Sequence, residues 1–317
     1  MPEYDITHLK ESDLEDVVSV IRRSKMECTF ERAPTADELR AYTVKDSDFR
    51  PEGSWVVQSS GEPVGYALAL VESNRLSAGL DDAYFEFEVV PDERSKGLEQ
   101  RLIGLATEYF ASRGVGKVKA RSLSADSWRI GQLTSQGFSE AYRVFFLVRG
   151  NGAQLPDMPR PEGITLVRRP YKECGNEEMT RIVEAFNVTF QDHFNFAPEK
   201  PERFIQYRDA GEDPECFSLA MAGDEIVGVC LSAEDRVYNE ERGEKWGWIN
   251  ILGVKPQYRR KGLGRFLLVD GMRWVVERGM DSTRIGVYAK NEKALDLYLS
   301  LGFEMDTSSL WLEKKLK

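Results

Sequence analysis

The sequence predicts an α/β chain in which one sheet-and-helix domain occurs twice in tandem. Three observations carry this. Strand patterns of period two alternate with helix patterns of period 3.6 along the whole chain. Residues 150–163 hold three prolines and three glycines and interrupt the pattern midway. Residues 89–138 align with 254–303 at a constant offset of 165, without gaps and with 12 of 50 positions identical; chance would give about three. The shared positions include Pro91/Pro256, Arg94/Arg259, Gly97/Gly262, Gly114/Gly279 and Gly137-Phe138/Gly302-Phe303.

In the first copy, Ile6–Leu9 reads as a strand and Asp13–Met26 as a helix with Leu14, Val17, Val18 and Ile21 on one face. Pro34–Val44 reads as a second helix with a proline near its start. Trp55–Gln58 and Val64–Val71 form a hairpin around Ser59-Ser60-Gly61-Glu62. Tyr84–Val90 is a strand, Leu98–Arg113 a helix, Val118–Leu123 a strand, Ser127–Gln136 a shorter helix and Tyr142–Val148 a closing strand. The domains are therefore expected at 1–150 and 164–317, with 151–163 as linker.

After the linker the order restarts. Ile164–Arg168 is a strand, Glu177–Phe190 and Pro201–Tyr207 are helices, and Cys216–Met221 pairs with Ile226–Ser232 around Ala222-Gly223-Asp224-Glu225. Trp248–Val254 is an apolar strand. The helix that follows Gly264 carries Leu268, Met272 and Val275 on one face, and a last helix carries Ala294, Leu297, Tyr298 and Leu301, with Gly302 as its stop.

Composition narrows the function. Hydrophobic content of 41% with 11% aromatics is that of a soluble globular protein. The stretch Met1-Pro2-Glu3-Tyr4-Asp5 does not read as a signal peptide, and no run approaches the ~18–20 apolar residues of a membrane span. Cys28, Cys174, Cys216 and Cys230 lack metal-ligand or disulfide spacing, so no metal is expected and a reducing cytoplasm is the expected compartment. A net charge of −10 disfavours nucleic acid as partner and mildly favours cationic acceptors. Self-association is compatible with this reading.

The chemistry concentrates in Arg259-Arg260-Lys261-Gly262-Leu263-Gly264-Arg265, between a strand and a helix. Unpaired helical N–H groups and the positive end of the helix dipole make such a turn an anion site. Gly262 and Gly264 let the backbone approach a diphosphate, and the basic side chains add charge. Asn291-x-x-Ala294-x-x-Leu297-Tyr298 follows, ending at Gly302-Phe303.

The pattern V-x-P-x-x-R-x-x-G-x-G followed by N-x-x-A-x-x-L-Y-x-x-x-G-F resembles the GNAT superfamily of acyl-CoA-dependent N-acetyltransferases over about 50 residues. The resemblance implies two tandem domains, each a mixed, mostly antiparallel sheet flanked by helices. It implies acetyl-CoA as co-substrate. The Arg259–Gly264 amides would hold the pyrophosphate, and Leu252, Gly253 and Val254 would pair with the pantetheine arm. Arg265, Asn291 and Ala294 would line the coenzyme, and Tyr298 would protonate the departing thiolate.

The first copy departs from that pattern. Gly264 corresponds to Glu99, Asn291 to Asp126, Ala294 to Arg129 and Tyr298 to Leu133. A carboxylate near a phosphate is repulsive and leucine donates no proton, so chemistry is expected in the second copy. Tandem architecture with a degenerate first half resembles the mycothiol synthase branch, as does the stretch Phe186-Asn187 through Asp192-His193-Phe194-Asn195-Phe196. Where that branch places a carboxylate base, six residues before Val254, this chain has Trp248, which argues against an identical substrate.

The base is sought among fewer residues. Alternation puts Trp246, Trp248, Asn250 and Leu252 on one face, with Asn250 able to orient a water or an amine. His193 has the intrinsic pKa of a base at neutral pH, and Asp192 could orient it. His8, far from either motif, reads as structural. The expected function is transfer of an acetyl group from acetyl-CoA to the primary amine of a small polar metabolite, with His193, Asn250 and Tyr298 as catalytic groups. The alternative is a non-catalytic acyl-CoA sensor or interaction module.

Overall fold

The architecture comes from a computed structural model, in which residues 3–26, 28, 30–211 and 214–316 are described. Met1 and Pro2, part of the stretch read above for a leader, lie outside them. The first repeat runs β1 (Asp5–Thr7), α1 (Leu14–Ser24), α2 (Ala36–Tyr42), β2 (Ser54–Ser59), β3 (Glu62–Leu70), α3 (Ser73–Ser77), β4 (Asp82–Val89), α4 (Leu98–Ser112), β5 (Lys117–Leu123), α5 (Ser127–Ser135) and β6 (Ser139–Gly150). The second runs β7 (Thr165–Pro170), α6 (Asn176–Phe190), α7 (Pro201–Ala210), β8 (Glu215–Ala222), β9 (Glu225–Glu234), α8 (Arg236–Arg242), β10 (Trp246–Val254), α9 (Leu263–Glu277), β11 (Ser282–Tyr288), α10 (Glu292–Leu299) and β12 (Glu304–Lys315).

Local chemistry sets the boundaries. Pro34 precedes α2 rather than opening it. Thr35 is the cap: its hydroxyl accepts from the Glu38 amide at 3.2 Å while its own amide donates to the Glu38 carboxylate at 2.7 Å. Asp126 and Asn291 cap α5 and α10 in the same way, each accepting from the amide three residues on. The faces read from periodicity are buried: Leu14, Val17, Val18 and Ile21 on α1, and Leu268, Met272 and Val275 on α9.

The chain divides into two compact units that do not follow sequence order at their last strands. Unit 1 is 1–143 plus 309–317, and unit 2 is 144–308. In unit 1 the strands lie in the order β1-β2-β3-β4-β5-β12, with Ser309–Lys315 of β12 antiparallel to β5. In unit 2 the order is β6-β11-β10-β9-β8-β7, with Val144–Gly150 of β6 antiparallel to β11. Relative to the expected boundary at 150, each unit thus takes its terminal strand from the other repeat. Leu147 of β6 is fully buried among unit 2 residues, and Leu310 and Leu312 of β12 are buried in the core of unit 1. The expected linker lies against unit 2: Asn151 bonds Asp281 and Met280, Arg273 bonds the Pro156 carbonyl, and Leu155 and Met158 pack on its core. No helix among the described residues is long and apolar enough to cross a membrane.

Unit 2 buries two cores, one on each sheet face. One gathers Ile249, Phe266, Leu267, Met272, Ile285 and Tyr298 beneath α9 and α10. The other gathers Met179, Ile182, Val183, Phe217 and Val229 beneath α6. Between them runs β10, parallel to β11 over Trp246–Ile249 and antiparallel to β9 along its length.

Candidate acyl-transfer site

β10 carries one residue too many for its partner. Ile249 faces Ser232 and Ile251 faces Leu231 on consecutive β9 positions, so Asn250 is the extra residue of a β-bulge. The bulge reverses the alternation. Ile249 packs beneath α9, but beyond it Leu252 and Val254 are the ones on that side, while Ile251 packs beneath α6. A Cβ on Gly253 would come within 2.2 Å of Thr189, so α6 can lie on the strand only because residue 253 has no side chain. The expectation that Trp246, Trp248, Asn250 and Leu252 share a face is therefore corrected. Trp248 and Leu252 lie on opposite faces and Asn250 stands exposed at the turnover. Period-two reasoning fails at any inserted residue.

The parallel ladder with β11 ends at Ile249–Ile285, although β11 continues to Tyr288. From the bulge onward the two strands separate, and Leu252, Gly253 and Val254 form no ladder pair with β11, which makes a notch between the strands. The matching strand of unit 1 has no such insertion, although its parallel ladder with β5 likewise ends, at Phe85–Ala120, while β5 continues to Leu123. β4 pairs β3 in continuous register from Gly65–Val89 to Leu70–Tyr84.

The notch ends at the basic loop. Arg260 and Gly262 both have left-handed backbones, φ 66° and 78°, and Gly262 caps α9 with no side-chain cap hydrogen bond among the described residues. Consecutive amides so turned form a concave anion cradle. Lys261 is exposed, its ammonium 5.6 Å from the Tyr258 ring centroid. Leu263 is buried, and Arg265 donates to the Ser300 hydroxyl at 2.8 Å. Arg259 is committed elsewhere. Its guanidinium donates to the carbonyls of Val254 (2.9 Å) and Thr189 (2.8 Å) and to the Asp192 carboxylate (2.9 Å). It fastens the end of β10 to the end of α6. Asn291 is likewise occupied as the α10 cap, and Ala294 beside it is half-buried.

Tyr298 lies on α10 with 5% exposure, its ring 6.1 Å from that of Phe303. Burial, reinforced by the nearby Cys230 thiol, pushes its phenol pKa well above the ordinary value. His193 sits in the exposed loop after α6, its ring 4.5 Å from Phe190. Partial desolvation and the Arg259 guanidinium lower its pKa, with Asp192 opposing. Asp192 accepts from Arg259 at 2.9 Å and acts on His193 only through its charge.

Two aromatics that sequence reasoning missed extend the α6 face past the bulge. Phe146 meets Trp248 edge-on at 6.3 Å, and Tyr288 stacks on Phe194 at 5.2 Å. Phe146 is opposite Gly286, and both share a face with Trp248 through the β6–β11–β10 pairings. Its place in the chain assigned it to the first copy, so only the strand pairing reveals it. His8, on unit 1, donates from Nδ1 to the Ser54 carbonyl at 3.0 Å.

The acetyltransferase (GNAT) family model matches residues 19–130 and 179–303, once in each repeat. The chain is 26% identical to a mycothiol acetyltransferase of Frankia alni, over 94% of this chain and 90% of that one. It is also 26% identical to the mycothiol acetyltransferase of Nocardia farcinica, over 86% and 91%. A tandem GNAT protein from the clavulanic acid biosynthesis pathway superposes with a TM-score of 0.74 at 14% identity, covering 99% of each chain.

Proposed function

The chain belongs to the acetyltransferase (GNAT) family and is an N-acetyltransferase, and we propose that unit 2 moves the acetyl group of acetyl-CoA to the primary amine of a small polar metabolite. The observation that carries this reading is the continuity of the β10–β11 notch with the amides at Gly262, which take no side-chain cap among the described residues. A pantetheine arm needs an unpaired strand edge to bond along, and a pyrophosphate needs an anion cradle at its end.

In this reading the arm lies along Leu252–Val254, the diphosphate rests on the amides of Arg260 to Gly264, and Lys261 adds charge. Gly253 and Arg259 hold the frame, and Asn291 keeps the start of α10 in place beside Ala294. The amines of the acceptor arrive over Trp248 and Phe146, with Tyr288 and Phe194 beyond. The nitrogen lone pair attacks the thioester carbonyl, whose oxygen is polarised by amides freed from the ladder at the bulge. The C–S bond then breaks. The nitrogen gives up its proton to His193 or to a water oriented by Asn250, and the sulfur takes one from Tyr298. Burial keeps that phenol protonated and available.

The test is thiol release from acetyl-CoA across a panel of small amines, run beside a folded acceptor protein. Amine-dependent release that Gly264→Glu abolishes supports the reading. A folded protein acetylated faster than every small amine would defeat it.

A further inference from the structure

Unit 1 repeats the frame of the coenzyme site with great fidelity. Ser95 and Gly97 have φ of 61° and 94°, against 66° and 78° at Arg260 and Gly262. A short 3-10 turn from a proline precedes each loop, and a 15-residue helix follows each. Arg94 donates to the carbonyls of Val89 (3.2 Å) and Ser24 (2.8 Å) as Arg259 does to Val254 and Thr189. An anion cradle is therefore built in unit 1 as well.

That cradle is filled from within. Glu99, where unit 2 has Gly264, is completely buried and folds back so that its carboxylate accepts from the Ser95 amide at 2.5 Å. Its second oxygen has no hydrogen-bond partner among the described residues. A buried carboxylate at a helix N-terminus, bonded by a left-handed loop amide, presents to the cradle the charge a phosphate would present. The other end of the slot is filled too. Arg129, where unit 2 has Ala294, reaches from α5 to the Phe87 carbonyl (2.7 Å) on β4, the counterpart of Leu252. It is fixed there by Glu88 at 2.6 Å and Asp126 at 3.3 Å. The side chain of Ala294 ends at Cβ and has no donor to offer the corresponding carbonyl of β10.

We infer that unit 1 carries a latent coenzyme slot occupied by the chain's own side chains, Glu99 in place of the pyrophosphate and Arg129 in place of the pantetheine arm. The two substitutions are complementary in charge to what each end of the slot offers: a carboxylate for amides, a guanidinium for a carbonyl. They replace an external ligand with internal ones, so the loop and strand keep their shape without coenzyme. The inference rests on the reading of the Arg259–Gly264 loop as the coenzyme site of unit 2.

Calorimetric titration with coenzyme A separates the two claims. The wild-type chain should take one equivalent and Gly264→Glu none, which tests the reading of unit 2. Glu99→Gly with Arg129→Ala, added to Gly264→Glu, should restore one equivalent. Glu99→Gly added to Gly264→Glu, with Arg129 kept, should bind ADP, which carries the pyrophosphate without the arm, and should not bind coenzyme A. This second variant carries the test if removal of Arg129 impairs folding. Two equivalents in the wild type, or a cooperatively melting Glu99→Gly variant that takes no ADP, would overturn the inference. No binding by the wild type would instead overturn the reading of unit 2 and leave the gain in the opened variants to decide the latent slot.

Discussion

The guanidinium of Arg259 holds the carbonyl of Thr189 at 2.8 Å, joining the last turn of α6 to the strand that ends in the basic loop. Its role is accordingly to position the loop, with its charge spent on protein carbonyls and Asp192. Arg259→Ala should weaken coenzyme binding about tenfold and lower stability by about 1–3 kcal/mol, the scale of losing charge-assisted hydrogen bonds. Arg259→Lys should recover little, because an ammonium cannot span two carbonyls in the guanidinium's forked geometry. The affinity lost should not change the dependence of binding on ionic strength, whereas Lys261→Ala should reduce it. Titrations at two salt concentrations check both.

Tyr298→Phe removes a proton donor from a buried position and leaves its packing against Phe303 in place. Turnover should fall by about 10²–10⁴-fold, the range for a general acid, with coenzyme affinity nearly unchanged. Because burial raises the phenol's pKa, the wild-type rate should show no alkaline loss from this group near pH 10. Unchanged turnover with chemistry rate-limiting would reduce Tyr298 to a packing residue.

His193 has its pKa lowered, so its neutral form, the one able to accept a proton, prevails at pH 7. The wild-type kcat/KM should decline as pH falls through a value below 6.5. His193→Ala should cut the rate at pH 7 and remove that limb from the profile. A variant with the same profile would assign the proton to water or another group.

The repeat and the order of most elements were legible in the sequence because each rests on local pattern: the offset of 165, the helix faces of α1 and α9, the turns at Gly61 and Gly223. The basic turn was legible too, since Gly262 and Gly264 beside a run of basic residues and ahead of an amphipathic helix need little context, although the left-handed backbone of Arg260 was not. What escaped depends on pairing. Nothing in Trp248-Ile249-Asn250-Ile251 marks an inserted residue until Ser232 and Leu231 are seen opposite Ile249 and Ile251. Strand β12 starts with Glu304-Met305-Asp306-Thr307-Ser308-Ser309, where Met305 is the only apolar residue and too little to mark a buried strand, and Phe146 is read with the wrong repeat until β11 is found beside it. Arg259 looked like a phosphate ligand because sequence shows a charge and not the carbonyls that consume it.

Glu31 of unit 1 offers a pH test of stability. Burial works against its ionised form, but Lys25 at 2.8 Å and Arg121 at 2.6 Å outweigh that and bring its pKa down to about 2. The folded state has the lower pKa, so the stabilisation is present above the unfolded value of about 4.3 and is lost as pH falls toward about 2. Glu31→Gln should cost on the order of 2 kcal/mol in urea melts at pH 7. The gap from wild type should narrow steadily between pH 5 and 3; a constant gap would mean the ion pairs contribute nothing.

The exchange of terminal strands has a consequence for how the protein is made. β5 is complete at Leu123, yet the strand that covers its edge starts pairing only at Ser309. A ribosome adding ~5–20 residues per second leaves that edge waiting for roughly ten seconds or more. Throughout that interval the nascent first repeat displays an unpaired strand edge, a surface that invites association with neighbouring chains. β6, by contrast, emerges early and must wait for β11 to be synthesised before it has its own partner. Unit 2 has all its strands once β11 is made, whereas unit 1 cannot close its sheet until Ser309–Lys315 is added, so its final folding is tied to completion of the chain.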